Sequence, residues 1–278
     1  MISGAQLGHG IGLRTRHYDR LLSEVPRGVD WFEVISENFF APGGRPWAVL
    51  DRVRSACPVA LHGVSLCIGD AEPLSRTYME ALARVAERVE PAWISDHLSW
   101  GASSGRYAHD LLPLPFTEEA LDVVVAKVSE LEDRLGRSVL LENVSSYMTF
   151  PESRMPEWEF LNEVARRSGC GILLDVNNVF VNAKNHGFSA EAYVDGVLAD
   201  RVGQIHVAGH TDMGEYLLDT HVGPVPDPVW ALYGRFVRRA GAKPTLVEWD
   251  EDVPDLDVVV AEADRARAIE REVVGRGG

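Results

Sequence analysis

Short apolar runs alternate along the chain with longer stretches whose apolar residues recur every three or four positions, the pattern of strands followed by amphipathic helices. Strands are expected over residues 8–13, 29–35, 58–62, 92–97, 138–142, 171–175, 202–206 and 244–248. Helices are expected over 15–25, 47–56, 72–89, 156–167, 228–240 and 255–274, with two more capped by Thr117 and Ser189. The Thr117 helix carries Leu121, Val124, Val125, Val128, Leu131 and Leu135 on one face. Eight such strand–helix units predict an α/β fold, a (β/α)8 TIM barrel forming a single domain over residues 1–278, near the ~250 residues usual for that fold. The joints agree with this. Helix-to-strand connections are short and turn on Gly136, Gly169 and Gly241, whereas the strand-to-helix segments 98–116, 143–155, 176–188 and 207–227 are long. In a barrel those long segments build the face that carries the chemistry.

The way the strands end is the second signal. The run 138–142 stops on Glu142, and the others break off on His62, on Asp96 and His97, on Asp175, on His206 and on Glu248. By count alone this is only a modest excess of residues that ligate metals. The physical point is stronger, because strands of a parallel barrel are covered on both faces, so acids and imidazoles at their ends face one another across a small mouth. Three carboxylates there repel strongly without a cation, which predicts a site for two or more metal ions. Asp219 and His221, two apart in a segment expected to be extended, would point the same way and grip one ion together. Asn177 and Asn182 read as turn residues of an Asn-rich loop. His9, His17 and His109 read as packing or surface residues, and Trp31 and Trp93 as barrel packing, with Trp100 and Trp249 able to wall a pocket.

Composition narrows the setting. A net charge of −15 argues against sequence-blind phosphate binding and hence against nucleic acid. The three cysteines, Cys57, Cys67 and Cys170, are scattered and odd in number, which fits reduced thiols in a cytoplasmic protein. No signal-peptide pattern opens the sequence and no apolar run approaches the ~18 residues of a membrane span.

The segments Leu61-His62-Gly63, Ser95-Asp96-His97-Leu98-Ser99-Trp100, Leu141-Glu142-Asn143, Leu174-Asp175-Val176-Asn177-Asn178-Val179, Asn185-His186-Gly187-Phe188, His206-Val207-Ala208-Gly209-His210, Asp219-Thr220-His221 and Glu248-Trp249-Asp250 occur in this order. Together they resemble the multinuclear non-heme iron-dependent oxidases, the family that includes the oxidase of methanobactin biosynthesis. The resemblance spans residues 10–248 and implies a metal-bearing barrel. It also implies two or three irons in mixed ferrous and ferric states and dioxygen as co-substrate. The substrate it implies is a cysteine of a ribosomally made precursor peptide, and a separate protein that recognises the peptide is the expected partner. On this resemblance His62, His97 and Glu142 hold one iron. Glu142, Asp175, His206 and Glu248 hold a second, so that Glu142 bridges, and catalysis centres on His62, His97, Glu142 and Asp175. Asp219 and His221, with Asn178 and His186, match the region of a third ion. The protein's own cysteines take no part. Two other readings remain open at this point: a divalent-metal barrel of the sugar-isomerase or hydrolase type, and a non-catalytic module that holds metal or peptide.

Overall fold

A computed structural model describes residues 7–103 and 106–275 of the chain. Eight parallel strands close into a barrel: β1 (His9–Gly12), β2 (Trp31–Ile35), β3 (Val59–Gly63), β4 (Ile94–His97), β7 (Leu140–Glu142), β8 (Gly171–Asp175), β9 (Val202–Ala208) and β12 (Thr245–Glu248), with β12 returning to pair with β1. The helices α1 (Tyr18–Ser23), α2 (Gly44–Arg54), α3 (Arg76–Val89), α4 (Glu118–Leu135), α5 (Glu157–Ser168), α6 (Val176–His186), α7 (Ala190–Gly196), α8 (Asp227–Ala240) and α9 (Leu256–Gly275) lie between and after the strands.

Successive residues of a strand point to opposite faces, and this period of two sets the layout. One set, including Phe32, Leu61, Ile94, Leu141, Ile172, Leu174 and Val247, faces the helices and joins the main apolar core. The alternate set Trp31, Ala60, Trp93, Leu140, Leu173 and Leu246 forms a separate cluster that fills the barrel, with the Trp31 and Trp93 rings meeting edge to face at 4.8 Å. Gly10 is dictated by this layer, because a Cβ there would lie 2.4 Å from Trp31 Cε2. One step further along the same inward-facing set come Glu33, His62, Ser95, Glu142, Asp175 and Glu248, two residues beyond each apolar plug residue. The barrel is therefore an apolar stack capped by a layer of acids and imidazoles. The register aligns them, pairing His97 with Glu142 and Asp175 with His206.

Capping follows the sequence closely in several places. Thr117 Oγ1 accepts from the Ala120 amide and Ser189 Oγ from the Ala192 amide, while Gly136 and Gly169 close their helices in the left-handed conformation. Other bounds move. Residues 15–25 divide into a 3-10 turn (Thr15–His17) and the short α1, and α3 begins only at Arg76, after Ser75 caps it. The segment 98–116 contains an antiparallel hairpin of β5 (Trp100–Ser103) and β6 (Arg106–Leu112), and 207–227 contains β10 (Thr211–Asp212) paired with β11 (Leu217–Leu218).

The stretch after Asp175 differs from the loop expected of it. It is not a loop of Asn turns but helix α6, with Asp175 Oδ1 accepting the Asn178 amide at 2.5 Å as the N-cap. Asn177, Asn178 and Asn182 are all buried in it. Asn is a poor helix former in isolation, yet here Asn182 accepts from Ser146 N at 2.7 Å and donates to Val144 O at 2.8 Å. Asn177 donates to Asp219 Oδ1 at 2.9 Å. Tertiary partners outweigh the local preference.

Candidate metal centre

Glu142 sits at the centre of the mouth. Its Oε2 lies 3.3 Å from His62 Nε2 and 3.4 Å from His97 Nε2, and its Oε1 lies 3.4 Å from His206 Nδ1. His206 Nδ1 is also 3.1 Å from Glu248 Oε2. Two donor groups result, His62 with His97 and Glu142, and Glu142 with Asp175, His206 and Glu248, and within each the donor atoms all lie within 4.8 Å of one another. All the side chains of both groups are buried and Glu142 belongs to both. A third group, His221, Glu248 and Asp250, adjoins the second through Glu248.

Each imidazole presents one nitrogen to this centre and is held by the other. His97 Nδ1 donates to the Gly63 carbonyl at 3.0 Å, which leaves Nε2 bare toward Glu142 in the neutral ring. His62 Nδ1 lies 2.9 Å from Ser95 Oγ, whose own hydroxyl donates to Leu61 O, so the same tautomer follows. His206 turns Nε2 to Glu33 Oε1 at 3.2 Å and Nδ1 to Glu142 and Glu248. Fixing a ring through its second nitrogen is how proteins orient metal-ligating histidines.

The donor set fits a cation on a second count. Glu142 Oε2, Asp175 Oδ2 and Asn178 Oδ1 are buried oxygens with no hydrogen-bond partner. Burying one such atom costs about 1–3 kcal/mol, and a metal ion would satisfy these acceptors together. The titration behaviour agrees. Burial, helped by His97 and His206, holds the His62 imidazole well below its usual range and so neutral. Burial and the charge of Glu142 push Asp175 well up. Burial alone would lower His206 and His221, but the surrounding carboxylates, Glu33, Glu142 and Glu248 around the first and Glu248 and Asp219 around the second, raise both well above the usual range. Glu248 runs the other way: burial would raise it, and His221, His206 and Arg14 bring it well below. Without a metal the cluster compensates its negative charge by taking up protons.

Asp219 and His221 do meet, with Asp219 Oδ1 2.8 Å from His221 Nε2, but not for the expected reason. His221 is left-handed, φ 49°, so the segment is bent rather than extended. Asn178 lies beside the centre, its Nδ2 donating to Asn143 O at 3.1 Å and its Oδ1 unpartnered. His186 does not join the other candidates: its Nε2 sits 2.9 Å from Ser146 Oγ, and it belongs to none of the donor groups. Asp96 is also turned aside, its Oδ1 accepting the His97 amide and its Oδ2 3.4 Å from the Tyr78 hydroxyl.

His9 and His17 are buried packing residues, the latter 2.9 Å from Pro254 O, while the His109 side chain lies outside the described residues. The three thiols are absent from the donor groups, and burial pushes each up to about 11.

Strand ends alone do not reveal Glu33, Gln204, Asp250 or Arg14. Gln204 donates to Glu33 Oε2 at 2.6 Å and accepts from Trp93 Nε1, which locks Glu33 under His206. Arg14 Nη2 reaches Asp250 Oδ1 at 2.5 Å and Glu248 Oε1 at 3.6 Å, tying the end of β12 to the loop after β1. A charged or amide side chain in the middle of an otherwise apolar strand was the available signal for Glu33 and Gln204.

Residues 8–271 match the family described as RiPP precursor modification enzyme MbnB/TglH/ChrH, RiPP denoting a ribosomally made, post-translationally modified peptide. A UPF0276 protein of Anaeromyxobacter sp. (strain Fw109-5) is 60% identical over 264 residues, covering 95% of this chain and 93% of the relative. Among solved structures, a xylose isomerase domain containing protein from Salmonella typhimurium LT2 superposes with a TM-score of 0.65 at 14% identity, covering 95% of this chain and 97% of that one. D-psicose 3-epimerase superposes with a TM-score of 0.62 at 12% identity, covering 96% and 99%. At such identities the likeness is one of fold, the TIM barrel.

Proposed function

The chain belongs to the MbnB/TglH/ChrH family of RiPP precursor modification enzymes, and from that premise we propose that it is a multinuclear non-heme iron oxidase that uses dioxygen to modify a cysteine of a precursor peptide. The observation that carries the reading is the sharing of Glu142 between two buried donor groups, with orphaned donor atoms turned into the same space. His62, His97 and Glu142 make a two-histidine, one-carboxylate set, the type that suits ferrous iron with open positions. Bound there, iron supplies a place for a substrate thiolate and for the reduction of dioxygen.

The residues of the chain do the rest. Glu142 would be shared by the ions held in the two donor groups, and Ser95, the Gly63 carbonyl and Glu33 keep the three imidazoles aimed. Asp175 and Glu248 complete the second group, and Asp219 and His221 with the adjacent Asp250 offer a third position. The rim of the mouth exposes Tyr147, Met148, Met213 and Tyr216, apolar surface suited to an extended peptide. The family resemblance further implies a partner protein that presents the peptide, and the reduced thiols favour a cytoplasmic setting. Among the described residues no helix is long and apolar enough to cross a membrane.

The test is aerobic incubation of iron-loaded protein with a cysteine-containing precursor peptide from the same genome, with its partner protein, following oxygen uptake and peptide mass. Uptake coupled to a mass change that disappears in a Cys→Ser peptide is expected. Turnover of a sugar with no oxygen uptake across such peptides would overturn the assignment.

A further inference from the structure

The peptide group that fixes the His97 ring is itself held from its far side. His97 Nδ1 donates to the Gly63 carbonyl at 3.0 Å, and the other polar edge of the same peptide unit is the Val64 amide. In a trans peptide the carbonyl and the amide hydrogen point in opposite directions within one plane, so whatever holds the Val64 N–H sets where the Gly63 oxygen aims. Glu37 holds it. From the 3-10 turn Ser36–Phe39 that follows β2, its Oε1 accepts the Val64 amide at 2.8 Å and the Ser65 amide at 2.9 Å. His97 and Glu37 thus grip opposite edges of one peptide plane.

Two further groups brace this arrangement. The Tyr78 hydroxyl donates to the same Glu37 oxygen at 2.6 Å and lies 3.4 Å from Asp96 Oδ2, while Asp96 Oδ1 accepts the backbone amide of His97 at 2.7 Å. Burial and the charges of Asp96 and Glu37 push the Tyr78 hydroxyl well up, so it keeps its proton and remains a donor. The Phe40 ring meets Tyr78 edge to face at 5.1 Å and fixes it in turn. No side chain fits between the peptide and this network: a Cβ on Gly63 would lie 2.0 Å from Asp96 Oδ2 and 2.8 Å from the Tyr78 oxygen. Hydrogen bonds to a charged acceptor are roughly twice as strong as neutral ones, and Glu37 places two of them on successive amides just past the end of β3. His62 is oriented separately, by Ser95 Oγ at 2.9 Å.

We propose that Glu37 is a positioning residue of the metal centre: through the Gly63–Val64 peptide it holds the His97 ring with Nδ1 protonated and Nε2 bare, aimed at the space shared with His62 and Glu142. Glu37 belongs to none of the donor groups itself. What the role demands is reach, because one oxygen has to meet two successive amides from a turn on the neighbouring strand. Gln at this position keeps the reach without the charge, and Asp keeps the charge but falls one methylene short. That His97 ligates iron rests on the proposed function, whereas the orientation of its ring is a property of the metal-free chain.

The two are therefore tested apart, on full-length protein with isotope-labelled histidines. In chelator-treated protein, nitrogen NMR spectra at a pH where the rings are neutral report the tautomer of each imidazole, with His97 and His62 assigned by the signals lost in His97→Gln and His62→Gln. The parent should show His97 with a protonated Nδ1 and a bare Nε2. Glu37→Ala and Glu37→Asp should lose that pattern to exchange between tautomers while His62 keeps its own, and Glu37→Gln should retain it. Ferrous iron binding, measured anaerobically by competition with a chelator, should weaken about 10–100-fold in the Ala and Asp variants and stay near the parent's in the Gln variant. A parent His97 without the protonated Nδ1, or a His97 pattern unchanged in Glu37→Asp, would overturn the proposal. So would His62 and His97 changing together, the mark of a side chain that only holds the loop. Should the Ala variant fail to fold, the Asp and Gln pair decides the matter. Parent protein with the expected rings that takes up no iron would leave Glu37 its place and sink the oxidase reading.

Discussion

Replacing Glu142 with Gln keeps size and shape but removes one negative charge from a side chain that lies within 3.4 Å of His62, His97 and His206. Because Glu142 is common to both donor groups, both ions should be weakened together. A hundredfold loss per ion, the upper range for disturbing a metal site, corresponds to about 2.7 kcal/mol each and roughly 5 kcal/mol for two. At about 2–4 °C per kcal/mol for a chain of this size, the metal-dependent rise in melting temperature should shrink by roughly 10–20 °C. His62→Ala removes one ligand from one group and should cost about half as much. In metal-free buffer the order should differ, because Glu142 then adds to the repulsion that pushes Asp175 up, so the Gln variant should melt at or above the parent. The assay is a paired thermal melt, with ferrous iron under anaerobic conditions and with chelator, alongside iron content. Glu142→Gln retaining the full iron-dependent rise would refute the bridging argument.

Other expectations follow from the same geometry. Asp219→Ala combined with His221→Ala should lower metal content by about one ion per chain with the circular dichroism spectrum unchanged; unaltered iron would make the pair loop structure only. Glu33→Ala frees the His206 ring from the carboxylate 3.2 Å from its Nε2 and should weaken iron binding by about 10–100-fold, measured by competition with a chelator; unchanged affinity would remove Glu33 from the positioning role. Glu157, pushed up to about 7 in the folded state, holds its proton better folded than unfolded. Its contribution is therefore full below about pH 4.5 and lost as pH rises through 7, by at most about 3 kcal/mol. Chelator-treated Glu157→Gln should lose that part of the decline in melting temperature, and parallel parent and variant curves would contradict it.

The barrel was legible because eight apolar runs and their helices repeat at a spacing few other folds share, and because Gly136 and Gly169 mark where chains reverse. Helix α6 was not, since its Asn residues disfavour a helix locally and are held by Ser146, Val144 and Asp219 from elsewhere in the fold. The strand-end rule found Glu142, Asp175 and Glu248 because strand ends and the inward-facing layer coincide there, and it found His206 although β9 runs on two residues to Ala208. It missed Glu33, which lies two residues past Trp31 on the same inward face but inside β2; His186 came in through the family resemblance, and its distance from the mouth depends on α6 being helical. Asp250 lies beyond the end of β12, where only the approach of Arg14 and His221 gives it a place.

Iron stoichiometry and Mössbauer spectra of anaerobically purified protein test the central claim most directly. A buried Glu142 shared by two donor groups predicts at least two irons per chain, with a magnetically coupled pair that disappears in Glu142→Gln. A single manganese, zinc or magnesium ion per chain, with iron neither bound nor taken up on reconstitution, would contradict it.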